Sequence, residues 1–143
     1  MTPAPRLGGG CHCGNIAVSV ELTRAPGTYH PRACDCDFCR KHGAAWVSDP
    51  QGSLLIELRE ERNVGRYTQG DRLAEMILCR TCGVLIAALW REQRLYGVVN
   101  ASVLDARAAF AAAQAIAPKE LPPDEKRKRW QSLWFSEVTL TPR

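Results

Sequence analysis

The sequence has no long apolar run. Its longest, residues 84–90, falls far short of the roughly 20 apolar residues a membrane-spanning helix needs. No apolar segment lies within Met1 to Arg6 either, so a secretory leader is not expected. Internal repeats and low-complexity domains are also absent, which removes solenoids and fibrous chains from consideration. Strong charge of one sign is lacking too. The formal net charge of +4 treats every thiol as neutral, and seven metal-bound thiolates against two divalent cations would lower it by about three. Bulk charge therefore gives no reason to expect a nucleic-acid partner. What remains is ordinary: 143 residues, 45% hydrophobic and 24% charged, suited to a single domain over residues 1–143 with a buried core.

Lone cysteines are missing as well. All seven fall into clusters: Cys11 and Cys13, then Cys34, Cys36 and Cys39, then Cys79 and Cys82. An odd count of clustered thiols with no leader points to a reducing compartment, taken as the cytoplasm, and to zinc rather than disulfides. Cys79-x2-Cys82-Gly83 has the form of a zinc knuckle, which supplies half of a tetrahedral site. Cys11 and Cys13 supply the other half, with Gly10 and Gly14 letting the chain curl and His12 expected to point away. Four thiolates saturate zinc and leave no room for substrate, so this centre is expected to be structural.

Cys34, Cys36 and Cys39 are left over, and three ligands with an open fourth position are the arithmetic of a catalytic zinc. Bound by three thiolates, the ion carries net negative charge and suits capture of a substrate thiol as thiolate better than activation of water. Arg32, Arg40 and Lys41 bracket this cluster, either to attract the carboxylates of a small anionic thiol or as a solvated rim. His42 offers a second possibility, closing the centre into a purely structural one. Asp35 and Asp37 are read as general acids or bases, or as supports to the thiolates, or as solvated groups. Trp46, Trp90, Trp130 and Trp134 are assigned to core or pocket wall. The run Lys126, Arg127, Lys128, Arg129 is read as a solvated surface, against the alternative of a phosphate-binding patch on a non-catalytic module.

Around the clusters the pattern is mainly β. Short alternating segments at residues 16–22, 54–58, 64–68, 73–78, 84–90, 95–100 and 134–140 predict strands separated by turn signals. Leu7 to Gly10 reads as a flexible entry, and residues 40–43 as a basic loop ending in glycine. One helix is expected in the alanine-rich residues 105–114, with Asp105 as N-cap, followed by a rigid connector at Leu121, Pro122 and Pro123.

These residues resemble a known family. Gly9-Gly10-Cys11-His12-Cys13-Gly14, the C-x-C-x2-C of Cys34 to Cys39 followed by Arg40-Lys41-x-Gly43, and Cys79-x2-Cys82-Gly83 are similar to the glutathione-dependent formaldehyde-activating enzymes and the related centromere protein V-like proteins. Residues 99–105 continue the likeness, which spans about residues 8–105. The chain departs from the pattern at Val84, where a small hydroxyl residue is common, and near Ser102, where a basic residue is frequent. The resemblance implies a mainly β, β-tent-like fold of small antiparallel sheets stapled by two zinc ions, one structural and one catalytic. Cys11, Cys13, Cys79 and Cys82 would be the structural ligands, and Cys34, Cys36 and Cys39 the catalytic ones. The implied activity is that of a carbon–sulfur lyase, typified by joining formaldehyde to glutathione as S-hydroxymethylglutathione. A small thiol is the partner implied. No membrane partner is expected, and the oligomeric state is left open.

Overall fold

A computed structural model describes residues 6–142; Met1 to Pro5, read above as free of a leader, lie outside the described residues. The chain is mainly β, as expected, and its strands form two sheets. The first contains, in spatial order, β1 (Arg6–Gly10), β2 (Ile16–Glu21), β5 (Ser53–Leu58) and β11 (Val138–Pro142). The second runs β10 (Gln114–Ile116), β3 (Arg32–Cys34), β4 (Trp46–Val47), β9 (Leu95–Asn100), β8 (Leu85–Arg91), β7 (Glu75–Cys79), β6 (Val64–Thr68). Pairing is antiparallel except for β5 with β11 and β3 with β10.

Alternation explains the first sheet. Ile16, Val18 and Val20 of β2 are buried, as are Leu54, Ile56 and Leu58 of the paired β5, while the residues between them are less covered. These side chains share one core with Ile77, Ile86, Leu89 and Val99 of the second sheet. Strand β8 does not alternate. Its Leu85 to Trp90 are all buried, the signature of a strand covered on both faces. A bulge against Ile77 and Leu78 inserts Ile86. Beyond it, Ala87 and Leu89 face the core between the sheets, while Ala88 and Trp90 join a second cluster on the opposite face.

That opposite face is covered by two helices. The six-residue α1 (Asp37–His42) occupies the stretch read as cluster and basic loop, and Gly43 closes it at φ 62°. The eleven-residue α2 (Pro123–Leu133) starts on Pro123, with Asp124 and Glu125 in its first turn. A helix near the C-terminus was expected, but the alanine-rich segment does not form it. Residues 107–109 make a single 3-10 turn, and Gln114 to Ile116 then pair in parallel with Arg32 to Cys34. Backbone N–H groups of Ala111 and Gln114 donate to the carbonyls of Tyr29 and Pro31, so the chain's own edge strand outbids helix propensity. Alanine also gives such a helix no apolar stripe to bury. The last strand begins later than expected: Trp134 and Phe135 are buried ahead of it, and Phe135 exchanges both backbone hydrogen bonds with Gly97.

The glycine entry is no loose leader either. Gly8, Gly9 and Gly10 pair in register with Ser19, Val18 and Ala17. Gly9 also bridges to Leu104 of the other layer, and a Cβ there would lie 2.0 Å from the Val103 carbonyl oxygen. Asp49, 3% exposed, knits the adjoining turns together. Its carboxylate accepts from Thr23 N–H (2.9 Å), Thr23 Oγ1 (2.6 Å), the Tyr29 hydroxyl (2.5 Å) and Gln51 N–H (2.9 Å). Burial opposes ionisation of Asp49, yet those four donors outweigh it and hold its pKa down at about 2.

Candidate metal centres

The fold brings the sequence clusters together as two separate thiol groups, four and three sulfurs, each with its sulfurs within 4.8 Å of one another. Cys11 and Cys13 sit in the turn from β1 to β2, where Gly10 and Gly14 take φ values of 157° and 87°. Cys79 ends β7 and Cys82 lies in the turn to β8, so this centre joins a turn of one sheet to a turn of the other. The sulfurs of Cys11 and Cys13 are 3.7 Å apart and those of Cys13 and Cys79 3.5 Å. Tetrahedral zinc with bonds of about 2.3 Å places sulfurs about 3.8 Å apart, so the set fits the ion. Backbone N–H groups support it: Ile16 donates to Cys11 Sγ at 3.2 Å and Cys82 to Cys79 Sγ at 3.4 Å. Burial disfavours the Cys82 thiolate, but neighbouring N–H donors prevail and bring its pKa down to about 6. His12 is exposed and stands apart from this group.

Cys34, Cys36 and Cys39 form the second group. Cys34 ends β3, Cys36 caps α1 and Cys39 lies in its first turn. The Cys39 N–H donates to Cys36 Sγ at 3.4 Å, repeating the knuckle geometry of Cys79 and Cys82. A hydrogen bond from Cys39 lowers the Cys34 pKa to about 6, while the same contact and burial raise that of Cys39. Among the described residues no fourth His, Cys, Asp or Glu joins these three. His42 is exposed, its ring 4.7 Å from that of Phe38. Asp37 is exposed, and Asp35 faces Lys119 at 3.8 Å with its other oxygen, Oδ1, buried without a partner.

All three cysteines open onto a cavity of about 140 Å³ on the helix-covered face of the larger sheet. Its apolar wall includes Trp46, Met76, Val98, Trp130, Leu133 and Trp134, in keeping with the pocket-wall reading of three of the tryptophans. Trp90 lies behind this wall, stacked on Tyr96. The polar groups are Arg32, Gln69, Asp71, Lys119, Lys126 and Arg129. Gln69 Nε2 lies 3.9 Å from Cys36 Sγ, and Lys126 Nζ pairs with Asp71 at 2.6 Å.

Of the three basic residues expected beside the cluster, Arg32 alone lines the cavity; Arg40 and Lys41 are exposed on the outside of α1. The helix turns those two away, a rotation hidden when the stretch is read as loop. The basic run is likewise no free patch. Lys126 reaches Asp71 and Arg127 pairs with Asp124, while Lys128, paired with Glu125, and Arg129, at the cavity rim, are solvent-exposed. Sequence reasoning missed Lys119, Lys126 and Arg129 as neighbours of the thiols because they lie 80 or more residues downstream. Pro123 followed by acidic Asp124 and Glu125 was the available sign of the helix that delivers two of them.

Comparison with known proteins agrees with this architecture. Residues 6–120 match the family model described as glutathione-dependent formaldehyde-activating enzyme. No curated protein matches the chain. A crystal structure of a Rhodobacter sphaeroides protein, a structural-genomics target, is similar at 28% identity and a TM-score of 0.54, over 94% of this chain and 99% of that one. With the model matched across most of its length, the chain belongs to the glutathione-dependent formaldehyde-activating enzyme family.

Proposed function

We propose that this chain is a zinc-dependent carbon–sulfur lyase acting on a small thiol adduct, typified by glutathione and formaldehyde combining as S-hydroxymethylglutathione. The observation that carries the reading is the three-sulfur group opening onto a cavity, with no fourth ligand among the described residues. In this reading Cys34, Cys36 and Cys39 hold a catalytic zinc, whereas Cys11, Cys13, Cys79 and Cys82 hold a structural one. Residues 1–143 then act as one zinc-binding domain, in a reducing compartment such as the cytoplasm that keeps all seven cysteines free.

A zinc ion held by Cys34, Cys36 and Cys39 with an open position would supply a place for a substrate sulfur as a thiolate that stays nucleophilic. The residues around it do the rest. Trp46, Trp130 and Trp134 exclude water from the reacting atoms. Gln69 and the Cys39 N–H steady Cys36 Sγ. In the direction of addition, the sulfur–carbon bond forms as the carbonyl π bond breaks, and the aldehyde oxygen takes up a proton. In this reading Lys126, held by Asp71 in the cavity wall, is the proton donor to that oxygen.

The test is cobalt substitution followed by titration with glutathione. The four-thiol centre gives a constant sulfur-to-metal absorption, and entry of a substrate thiolate at the other centre makes that band grow. An unchanged spectrum would overturn the open-centre reading. Growth of the band together with formaldehyde-dependent loss of free thiol would establish the reaction class.

A further inference from the structure

The cavity beside Cys34, Cys36 and Cys39 has two unlike ends. Its floor is built by the larger sheet and the residue after α2: Trp46 of β4, Met76 of β7, Ala88 of β8, Val98 of β9 and Trp134, each 7% exposed or less. Trp130 stacks on Trp134 at 4.5 Å, which fixes the aromatic side of that floor. The polar groups come from elsewhere. Gln69 and Asp71 lie in the turn between β6 and β7, Lys119 in the 3-10 turn Pro118–Glu120, and Lys126 on α2. Gly70 and Lys119 are exposed, so the polar end is the mouth.

Formaldehyde leaves such a floor unfilled. With two heavy atoms it is little larger than a water molecule, whose share of the liquid is about 30 Å³, whereas the cavity holds about 140 Å³. An apolar cavity of about 150 Å³ takes up benzene. A tripeptide thiol is in turn too large, because pockets that bury drug-sized ligands run from about 300 Å³ upward. The polar body of such a thiol stays at the mouth, and the group that reaches the floor is the one on the carbon bonded to its sulfur.

We propose that the carbonyl partner at this site is an aldehyde bearing an apolar substituent of benzene size, seated against Trp46, Val98 and Trp134. The proposal rests on the thiol-addition reading above and names its second substrate. Polarity matches at both ends: the carbonyl oxygen belongs on the side of Gln69 and Lys126, and the substituent covers apolar wall that water would otherwise wet. Addition joins the thiol sulfur to the aldehyde carbon as the carbonyl π bond breaks. The proton lost by the thiol is balanced by the one gained at oxygen, and no oxidant or reductant enters.

Calorimetry with S-benzylglutathione and S-methylglutathione tests the seat, because a thioether presents the carbon substituent without turnover. The zinc-loaded protein should bind the benzyl thioether roughly ten- to a hundredfold more tightly, the scale for burying one phenyl group. Ala88→Leu, which fills the floor, should remove most of that preference. Leu133→Phe should do the same from a partly buried position on the cavity wall, and thermal melting checks that each variant is folded. Equal binding of the two thioethers, or an undiminished preference in a folded variant, overturns the seat. Loss of free thiol then locates the group. Glutathione with benzaldehyde should be accelerated over its uncatalysed addition more than glutathione with formaldehyde. Greater acceleration of benzyl mercaptan with formaldehyde would place the apolar group on the thiol and overturn the assignment to the aldehyde. The cobalt titration keeps the two readings apart. A growing band with equal thioether binding leaves thiol entry standing and removes the seat, whereas a benzyl preference with no band keeps the seat and removes thiolate entry.

Discussion

Cys36 and Cys82 are alike in sequence terms, each in a C-x2-C pair, yet their replacement should have opposite consequences. Cys36→Ser removes one sulfur from the three-sulfur group at the cavity wall, where the surrounding helix and strands should stay packed without it. Circular dichroism should be unchanged and carbon–sulfur turnover lost. Cys82→Ser breaks the centre that joins the two sheets, and binding energy at such a site is folding energy. It should melt well below the parent or fail to fold; a Cys82→Ser variant as stable as the parent would remove the structural assignment. Asp49 gives the residue-scale prediction for acid. Its pKa is held at about 2 in the fold, below the ordinary 3.8. Stability from this group is therefore complete above about pH 4 and is lost as pH falls toward 2. Asp49→Asn should cost about 1–3 kcal/mol in urea unfolding near neutral pH and flatten that acid limb.

At the scale of elements, the tightest constraint is β1 against the layer behind it. A Cβ at Gly9 would press on backbone, the Val103 carbonyl, which cannot swing aside as a side-chain end can. Gly9→Ala should cost about 3 kcal/mol or more by chemical denaturation. Gly8→Ala is the control: its Cβ would meet nothing closer than 3.9 Å, and stability should change little. Helix α2 is held differently. Trp130 stacks on Trp134 at 4.5 Å and meets Trp90 edge-on at 5.8 Å. Aromatic packing and the Lys126–Asp71 pair thus fasten the helix over the cavity, with Arg129 of the same helix at its rim.

For the molecule as a whole, two zinc ions per chain are expected by elemental analysis. A strong chelator should remove them unequally. The three-sulfur group faces a cavity and should empty first, with little change in melting temperature. The four-sulfur centre should empty later, and the melting temperature should then fall sharply, because β1 and β2 lose their tie to β7 and β8. Simultaneous loss of both ions with a single fall in stability would contradict the division of roles. No helix among the described residues is long and apolar enough to cross a membrane.

The sequence by itself determined which cysteines group together, because metal ligands supplied by one tight turn must lie two or three residues apart. It also determined most strands, since alternation in β2 and β5 is imposed by a sheet with one buried face. The resemblance built on those same residues named the family. Tertiary structure decided what local pattern cannot carry. The alanine-rich segment became a 3-10 turn that leads into the edge strand β10, because β3 offered the chain backbone partners there. The helix moved to Pro123–Leu133, where Trp130 and Leu133 had an apolar face to cover. The basic residues beside the thiols came from far along the chain, while Arg40 and Lys41 were turned outward by α1. Ligand spacing is a local property of the backbone, whereas the charge facing a cavity depends on which distant elements pack around it.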